Sequence, residues 1–285
     1  MSSAEGISLE ADTRSTGRWS DFGSWAGDGL RREVFFFPSR GIELYGSLYA
    51  AAEPSRPFGV VCCSSWGVEA DRTDPLVRSV ALTMARIGGA GMVFHYPGYG
   101  DSFGRLADLD LSHLSDAASD AVGEASRRCP GLTWIFAGFM LGASVACLAQ
   151  RRTAAEMVVL VQPALRPGAY FRWLAGRTQQ LAPGPTPREM MEPGPTPGMV
   201  YGYPLPRPII DRADDADSAV DAALTDFCGK GVVIRHVKPQ DVDPMPAGFE
   251  RVDIPGAWRF GSQSHPRLAR ASAEWLDRHT RDGRR

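Results

Sequence analysis

Hydrophobic and polar positions come in blocks along the chain, and the period of each block predicts its element. Val34-Phe35-Phe36-Phe37 and Leu44-Tyr45-Gly46-Ser47-Leu48-Tyr49, joined by Pro38-Ser39-Arg40-Gly41, read as the strands of an antiparallel hairpin. Short apolar runs of buried-strand type follow at Gly59–Cys63, Met92–Tyr96, Leu132–Phe136, Met157–Val161 and Gly231–Arg235. Helical spacing separates or follows them over Pro75–Ile87, Leu111–Arg128, Leu141–Ala149 and Pro266–Arg278. Strands alternating with helices at this rhythm predict an α/β fold with a mostly parallel sheet covered by helices on both faces.

Two stretches depart from the rhythm. Residues 1–30 are rich in Ser, Gly, Ala and Asp, which predicts a flexible N-terminal arm with order beginning near Glu33. Residues 164–225 interrupt the alternation with Pro183, Pro185, Pro187, Pro193, Pro195, Pro197, Pro204, Pro206 and Pro208, flanked by amphipathic pieces at Tyr170–Leu181 and Arg212–Asp226. An insertion this long is read as a lid, because it leaves the sheet at the C-terminal ends of strands, where open α/β folds place ligands. The expected organisation is an arm at 1–30, a core at 31–163, the lid at 164–225 and the rest of the core at 226–285. At 285 residues, a single core with one insertion is the economical arrangement.

Composition narrows the function. Hydrophobic residues at 44% and charged residues at 22% describe a globular chain, and no apolar stretch reaches the roughly 20 residues of a membrane span. No basic segment followed by an apolar one marks a secretory signal at the N-terminus. A net charge of -2 gives no electrostatic footprint for nucleic acid or an anionic membrane. Lys230 and Lys238 are the sole lysines among 31 basic residues, an Arg bias that points to a GC-rich genome and not to phosphate binding. The cysteines Cys62, Cys63, Cys129, Cys147 and Cys228 are odd in number without CxxC spacing, so reduced thiols in the cytoplasm and no zinc site are expected. His113, His236 and His279 have no metal-ligand spacing either.

The chemistry is expected where the strand Leu132–Phe136 runs into Ala137-Gly138-Phe139-Met140-Leu141-Gly142-Ala143 and a helix. Strand, tight glycine-bearing turn and helix are the setting of the G-x-S-x-G nucleophile elbow. The central residue is Met140. A thioether has no proton to lose and forms no acyl intermediate that turns over, so serine-type hydrolysis from this elbow is excluded chemically. Ser144, with Gly142 and Ala146, spells a second G-x-S-x-A string but lies inside the helix and reads as packing.

On these residues the chain resembles the α/β-hydrolase superfamily over about residues 33–280. Phe94-His95-Tyr96-Pro97-Gly98-Tyr99-Gly100-Asp101-Ser102 is similar to the family's strand-to-loop sequence, with His95 where Asp is common. Cys62-Cys63-Ser64-Ser65-Trp66-Gly67 stands at the place of the His-Gly loop, with Ser64 for the His. The chain is also similar to the exosortase A system-associated alpha/beta hydrolases, through Gly138-Phe139-Met140-Leu141-Gly142-Ala143, Gln162-Pro163 with the following helix, and Gly202-Tyr203-Pro204-Leu205. The resemblance implies oxyanion donors in the backbone N–H groups of Trp66 and Leu141. It places the catalytic His near Ile254–Phe260, where Trp258 and Arg259 stand instead, and the acid near Asp241 and Asp243.

The remaining candidates each carry a second reading. His265 is a relocated base or the start of the last helix. Cys63 and Ser64 are a thiol and hydroxyl facing the elbow, or small residues closing a strand. Glu69 is a general acid or base with a raised pKa, or the partner of Arg72 or Arg78. His95 is a proton carrier or a loop-capping side chain, and Asp101 and Ser102 suit the turn that follows it.

The expectation is an enzyme with the fold but without the triad: a lyase, an acyl or acetate elimination, or a cyclisation on an acylated small molecule of specialised metabolism. Catalysis would fall to Cys63, Ser64, Glu69 and His265, and binding to Trp66, Met140, Leu141 and Arg259. Alternatives are an inactive pseudo-hydrolase that binds a hydrophobic ligand or partner, and a hydrolase using Cys63. No cofactor or metal is called for, the expected partner is a small-molecule substrate or acyl intermediate, and a homodimer stays open.

Overall fold

The computed structural model describes residues 21–27, 29–153, 155–176, 199–200, 202–237, 246–255 and 265–281. The first described strand, β1 (Asp21–Gly27), pairs antiparallel with β2 (Leu30–Ser39). The expected hairpin is β2 with β3 (Ile42–Ala51), in antiparallel register from Leu30↔Ala51 to Ser39↔Ile42. Its turn places Arg40 at φ 47° and Gly41 at φ 81°, the left-handed pair of a type I′ turn, whose twist matches the strands it joins.

The alternation then follows in the order β4 (Phe58–Cys63), α1 (Val68–Arg86), β5 (Ala90–Phe94), α2 (Leu111–Arg128), β6 (Thr133–Phe139), α3 (Gly142–Thr153) and β7 (Met157–Val161). The insertion contributes α4 (Pro167–Gly176), the two-residue strands β8 (Met199–Val200) and β9 (Tyr203–Pro204), α5 (Arg207–Asp211) and α6 (Ala213–Thr225). The chain returns to the sheet with β10 (Lys230–Val237) and β11 (Phe249–Pro255), and ends in α7 (His265–Arg281). Helix α1 starts seven residues before the expected Pro75, which lies inside it. Thr73 Oγ1 donates to the Glu69 carbonyl at 2.7 Å in the turn ahead of that proline, so the helix runs through a residue that usually starts or breaks one.

Nine of the strands form one sheet in the order β1-β2-β3-β5-β4-β6-β7-β10-β11, with β5, β4, β6, β7, β10 and β11 mutually parallel, while β8 and β9 pair antiparallel with each other. Each central strand is apolar on both faces because both are covered. Val61 and Cys63 of β4, Phe136 of β6 and Leu160 of β7 enter the core beneath α2, α3 and the insertion helices. Their neighbours Val60, Cys62, Ile135 and Val159 enter the core beneath α1 and α7. Among the described residues no helix is long and apolar enough to cross a membrane.

Strands β4 and β6 are neighbours, yet the helices that follow them leave on opposite faces. That arrangement opens a crevice at their C-terminal ends, the topological switch point where open α/β sheets bind ligands.

Candidate active site at the switch point

The elbow after β6 carries backbone strain. Met140, a bulky residue, sits at φ 52° in the left-handed region, a conformation that costs about 1–2 kcal/mol. Backbone bonds enforce it: Met140 N–H donates to Val161 O at 3.0 Å, and its carbonyl accepts from Ala143 N–H at 3.1 Å and Ala164 N–H at 2.9 Å. A Cβ on Gly142 would lie 2.0 Å from the Cys63 carbonyl oxygen and 2.3 Å from that of Ser64, so only glycine lets α3 start against the end of β4. Ser144 is fully buried and donates to Ala164 O at 2.6 Å, a packing role that ties α3 to the segment after β7.

The two expected oxyanion donors are unspent. Neither the Trp66 nor the Leu141 backbone N–H has an acceptor among the described residues. The Trp66 side chain is buried edge-on to Phe171 of α4, with ring centroids 5.2 Å apart, and its indole N–H also lacks a partner among the described residues. Both residues are buried, so their backbone N–H groups are donors without a protein acceptor among the described residues.

The titratable groups lie in the loop after β4 and the first turns of α1. Glu69 accepts a hydrogen bond from Ser65 Oγ at 3.0 Å, and the Tyr170 hydroxyl of α4 lies next to it. Burial raises its pKa above the ordinary carboxyl value of 4.5, against the opposing pull of those two hydroxyls and of the Arg72 charge. Arg78 is engaged elsewhere, with Asp74 at 2.6 Å. Cys63 is fully buried with its thiol pushed well above 9 by desolvation, and the Tyr96 hydroxyl next to it also reaches the Ser64 carbonyl at 3.2 Å. A thiol held protonated in a dry core is a poor nucleophile.

His95 follows β5 and stacks on Tyr45 with centroids 4.6 Å apart. Its Nδ1 accepts the Asp101 N–H at 3.2 Å, the loop-capping arrangement, and burial lowers its pKa below 6.5. Ser102 completes that turn by donating to His95 O at 2.8 Å and accepting from Tyr45 N–H at 2.9 Å. Together Ser64, Asp71, Asp74, His95, Tyr99 and Tyr203 line a cavity of about 300 Å3 beside the crevice. A larger cavity of about 720 Å3 lies at the opposite pole, between the first residues of β4, β7 and β10 (Phe58, Met157 and Lys230), away from the elbow.

His265 is the first residue of α7. Asp241, Asp243, Trp258 and Arg259 lie outside the described residues. The groups that sequence reasoning passed over are Ser65, Asp71, Tyr99 and Tyr170. Asp71 shares the first turns of α1 with Glu69, a pairing visible in the sequence. The tyrosines come from distant loops and the insertion, and no spacing relates them to it.

Solved structures of the same architecture exist. Est1E from Butyrivibrio proteoclasticus, with ferulic acid bound, superposes with a TM-score of 0.61 over 86% of this chain and 98% of its own, at 16% identity. The α/β serine hydrolase XC6422 from Xanthomonas campestris, solved as a protein without a lid, gives a TM-score of 0.55 over 87% of this chain and 95% of its own, at 15% identity. This is the α/β-hydrolase fold. The thioesterase domain of the curacin biosynthetic pathway shares it too, with a TM-score of 0.54 over 86% of this chain and 99% of its own, at 14% identity. No protein-family profile and no curated protein sequence matches the chain. Met140 is the central residue of the turn that joins β6 to α3.

Proposed function

We propose that the protein is a non-hydrolytic α/β-hydrolase-fold enzyme that eliminates a carboxylic acid from an acylated small-molecule intermediate of specialised metabolism. The observation that carries this reading is the strained elbow, kept at φ 52° around a side chain with no acidic proton, with the donor at Leu141 still unspent. A strained turn persists only where its surroundings hold it, and here what it still presents is the donor and not a nucleophile. The expected acyl substrate accords with the ferulic acid held by Est1E and with the thioesterase of the curacin pathway.

In this scheme the acyl carbonyl oxygen accepts from the Leu141 and Trp66 N–H groups. Glu69, as the carboxylate, takes the proton from the carbon adjacent to the C–O bond. The C–H electrons form the alkene, the C–O bond breaks, and the acyloxy group departs as a carboxylate whose charge those donors stabilise. The raised pKa of Glu69 makes its ionised form a stronger base than an ordinary carboxylate. Glu69 then returns its proton to solvent or to the product acid. Ser64, at the cavity wall, is available to orient the substrate.

A Glu69→Gln variant assayed with acylated substrates is expected to lose about 100-fold or more in formation of the unsaturated product, with no acyl group left on the protein. Full activity in that variant defeats the proposal. The second reading, a binder without turnover, is favoured by the pairing of Glu69 with both Ser65 and Tyr170, and ligand-induced thermal stabilisation without any product identifies it. A hydrolase built on Cys63 is disfavoured by the burial of that thiol.

A further inference from the structure

The cavity beside Ser64 carries a charge that the elimination does not use. Of the ionisable groups on its walls, Asp74 and Arg78 pair with each other at 2.6 Å, and the Arg78 guanidinium also reaches the Tyr49 hydroxyl at 3.4 Å, so these two charges cancel. His95 adds no charge, because burial lowers its pKa and its Nδ1 is occupied by the Asp101 N–H. Asp71 remains. It accepts the hydroxyls of Tyr99 and Tyr203, each at 2.5 Å, and no salt bridge joins it to a cation among the described residues.

The partners of Asp71 cannot cancel its charge. Both phenols are held protonated, that of Tyr203 with its pKa pushed up to about 12 by burial and by the carboxylate, so they donate as neutral groups. The start of α1 contributes the positive end of a helix dipole, about half a charge, which is less than the full charge of Asp71. The hydroxyls of two phenol rings 6.1 Å apart thus converge on one exposed carboxylate, with no cation paired to it among the described residues, at the edge of a cavity large enough for a small organic group.

We propose that this cavity binds a cationic amine, with the ammonium on the Asp71 carboxylate and its alkyl or aryl part against Tyr99 and Tyr203. An ammonium N–H makes a charge-assisted bond to a carboxylate, and the face of a tyrosine ring attracts a cation within about 6 Å. A carboxylate or phosphate placed there would meet like charge. The Ser64 backbone forms part of the elbow's contact with Gly142 while Ser64 also lines the cavity, so the amine and the acyl carbonyl can belong to one molecule. That last link rests on the proposed elimination, whereas the amine site stands without it.

The test is a titration of the full chain at neutral pH with benzylammonium chloride and with benzyl alcohol, at matched ionic strength, followed by ligand-observed NMR. The amine is expected to bind at least about tenfold more tightly than the alcohol of the same size. Asp71→Asn, which keeps an acceptor oxygen and removes the charge, should bring the amine down to the level of the alcohol. Tyr203→Phe should weaken the amine about two- to threefold while keeping the preference. Equal affinities, no binding of either probe, or an amine preference that survives Asp71→Asn overturns the inference. A chain that binds the amine through Asp71 but forms no product from acylated amines keeps this site and defeats the elimination. Product formation without amine selectivity does the reverse.

Discussion

Two stretches meet at the switch point, the elbow Gly138–Gly142 and the segment Ser64–Asp74, and they differ in where their chemistry resides. In the elbow it resides in the backbone: a left-handed Met140, an N–H at Leu141, and glycines that allow α3 to touch β4. In the other stretch it resides in side chains: Glu69 on Ser65 and Tyr170, and Asp71 on Tyr99 and Tyr203. In a serine hydrolase a single elbow supplies both the reactive atom and its geometry. The difference here teaches that backbone geometry and side-chain groups at one switch point depend on different residues.

The strongest way to break the comparison is to break the contact between its halves. Gly142→Val would drive a Cβ into the Cys63 carbonyl from 2.0 Å, and a loss of more than about 4 kcal/mol in urea unfolding is expected. A variant within about 1 kcal/mol of the parent would show that the close approach is not what holds the elbow. The second test concerns the side-chain wall. Glu69 stays protonated in the folded protein at pH values where it is ionised in the unfolded chain, because its folded pKa lies above 4.5. Its contribution to stability is therefore complete below about pH 4.5 and is lost as pH rises through the folded value. Glu69→Gln should flatten that decline in unfolding free energy, and an unchanged slope would remove Glu69 as its source.

A smaller shift is expected from Tyr170→Phe. The phenol beside the carboxylate lowers the pKa of Glu69; without it the pKa rises further, and the pH–rate profile should move to higher pH. No movement would mean that α4 does not tune the carboxylate. The smallest effect sharpens the account of the elbow. Met140→Gly removes a half-buried side chain but relieves the left-handed strain, so the net change should stay within about 1 kcal/mol, where truncating a core Met costs about 2–5. A loss in that higher range would assign the elbow's stability to the Met140 side chain.

The same division separates what could be read from the sequence and what could not. Helix α2 and strand β7 fall where the sequence places them, because an amphipathic run of 18 residues has the helical period and a block of five apolar residues rich in Val is too short for a helix. The elbow was legible from its glycines, since their spacing reflects a backbone requirement local to the turn. The start of α1 was not, because Pro75 resembles a first-turn proline when its neighbours are read alone. The environment of Glu69 depends on a tyrosine 101 positions away, on a helix of the insertion, and that of Asp71 on one 132 positions away. Burial and pKa at such places are properties of tertiary packing, and local pattern carries no trace of them. For Ser102 and His95 the turn chemistry was local, and the expected capping is what the loop shows.

The central claim is that acyl chemistry at this switch point proceeds without a covalent nucleophile. Intact-mass spectrometry of the protein mixed with a panel of acyl esters and thioesters, with products analysed in parallel, tests it most directly. The account predicts a protein of unchanged mass together with a free acid and an unsaturated product. A protein heavier by the acyl group would contradict it and return the fold to acyl-transfer chemistry.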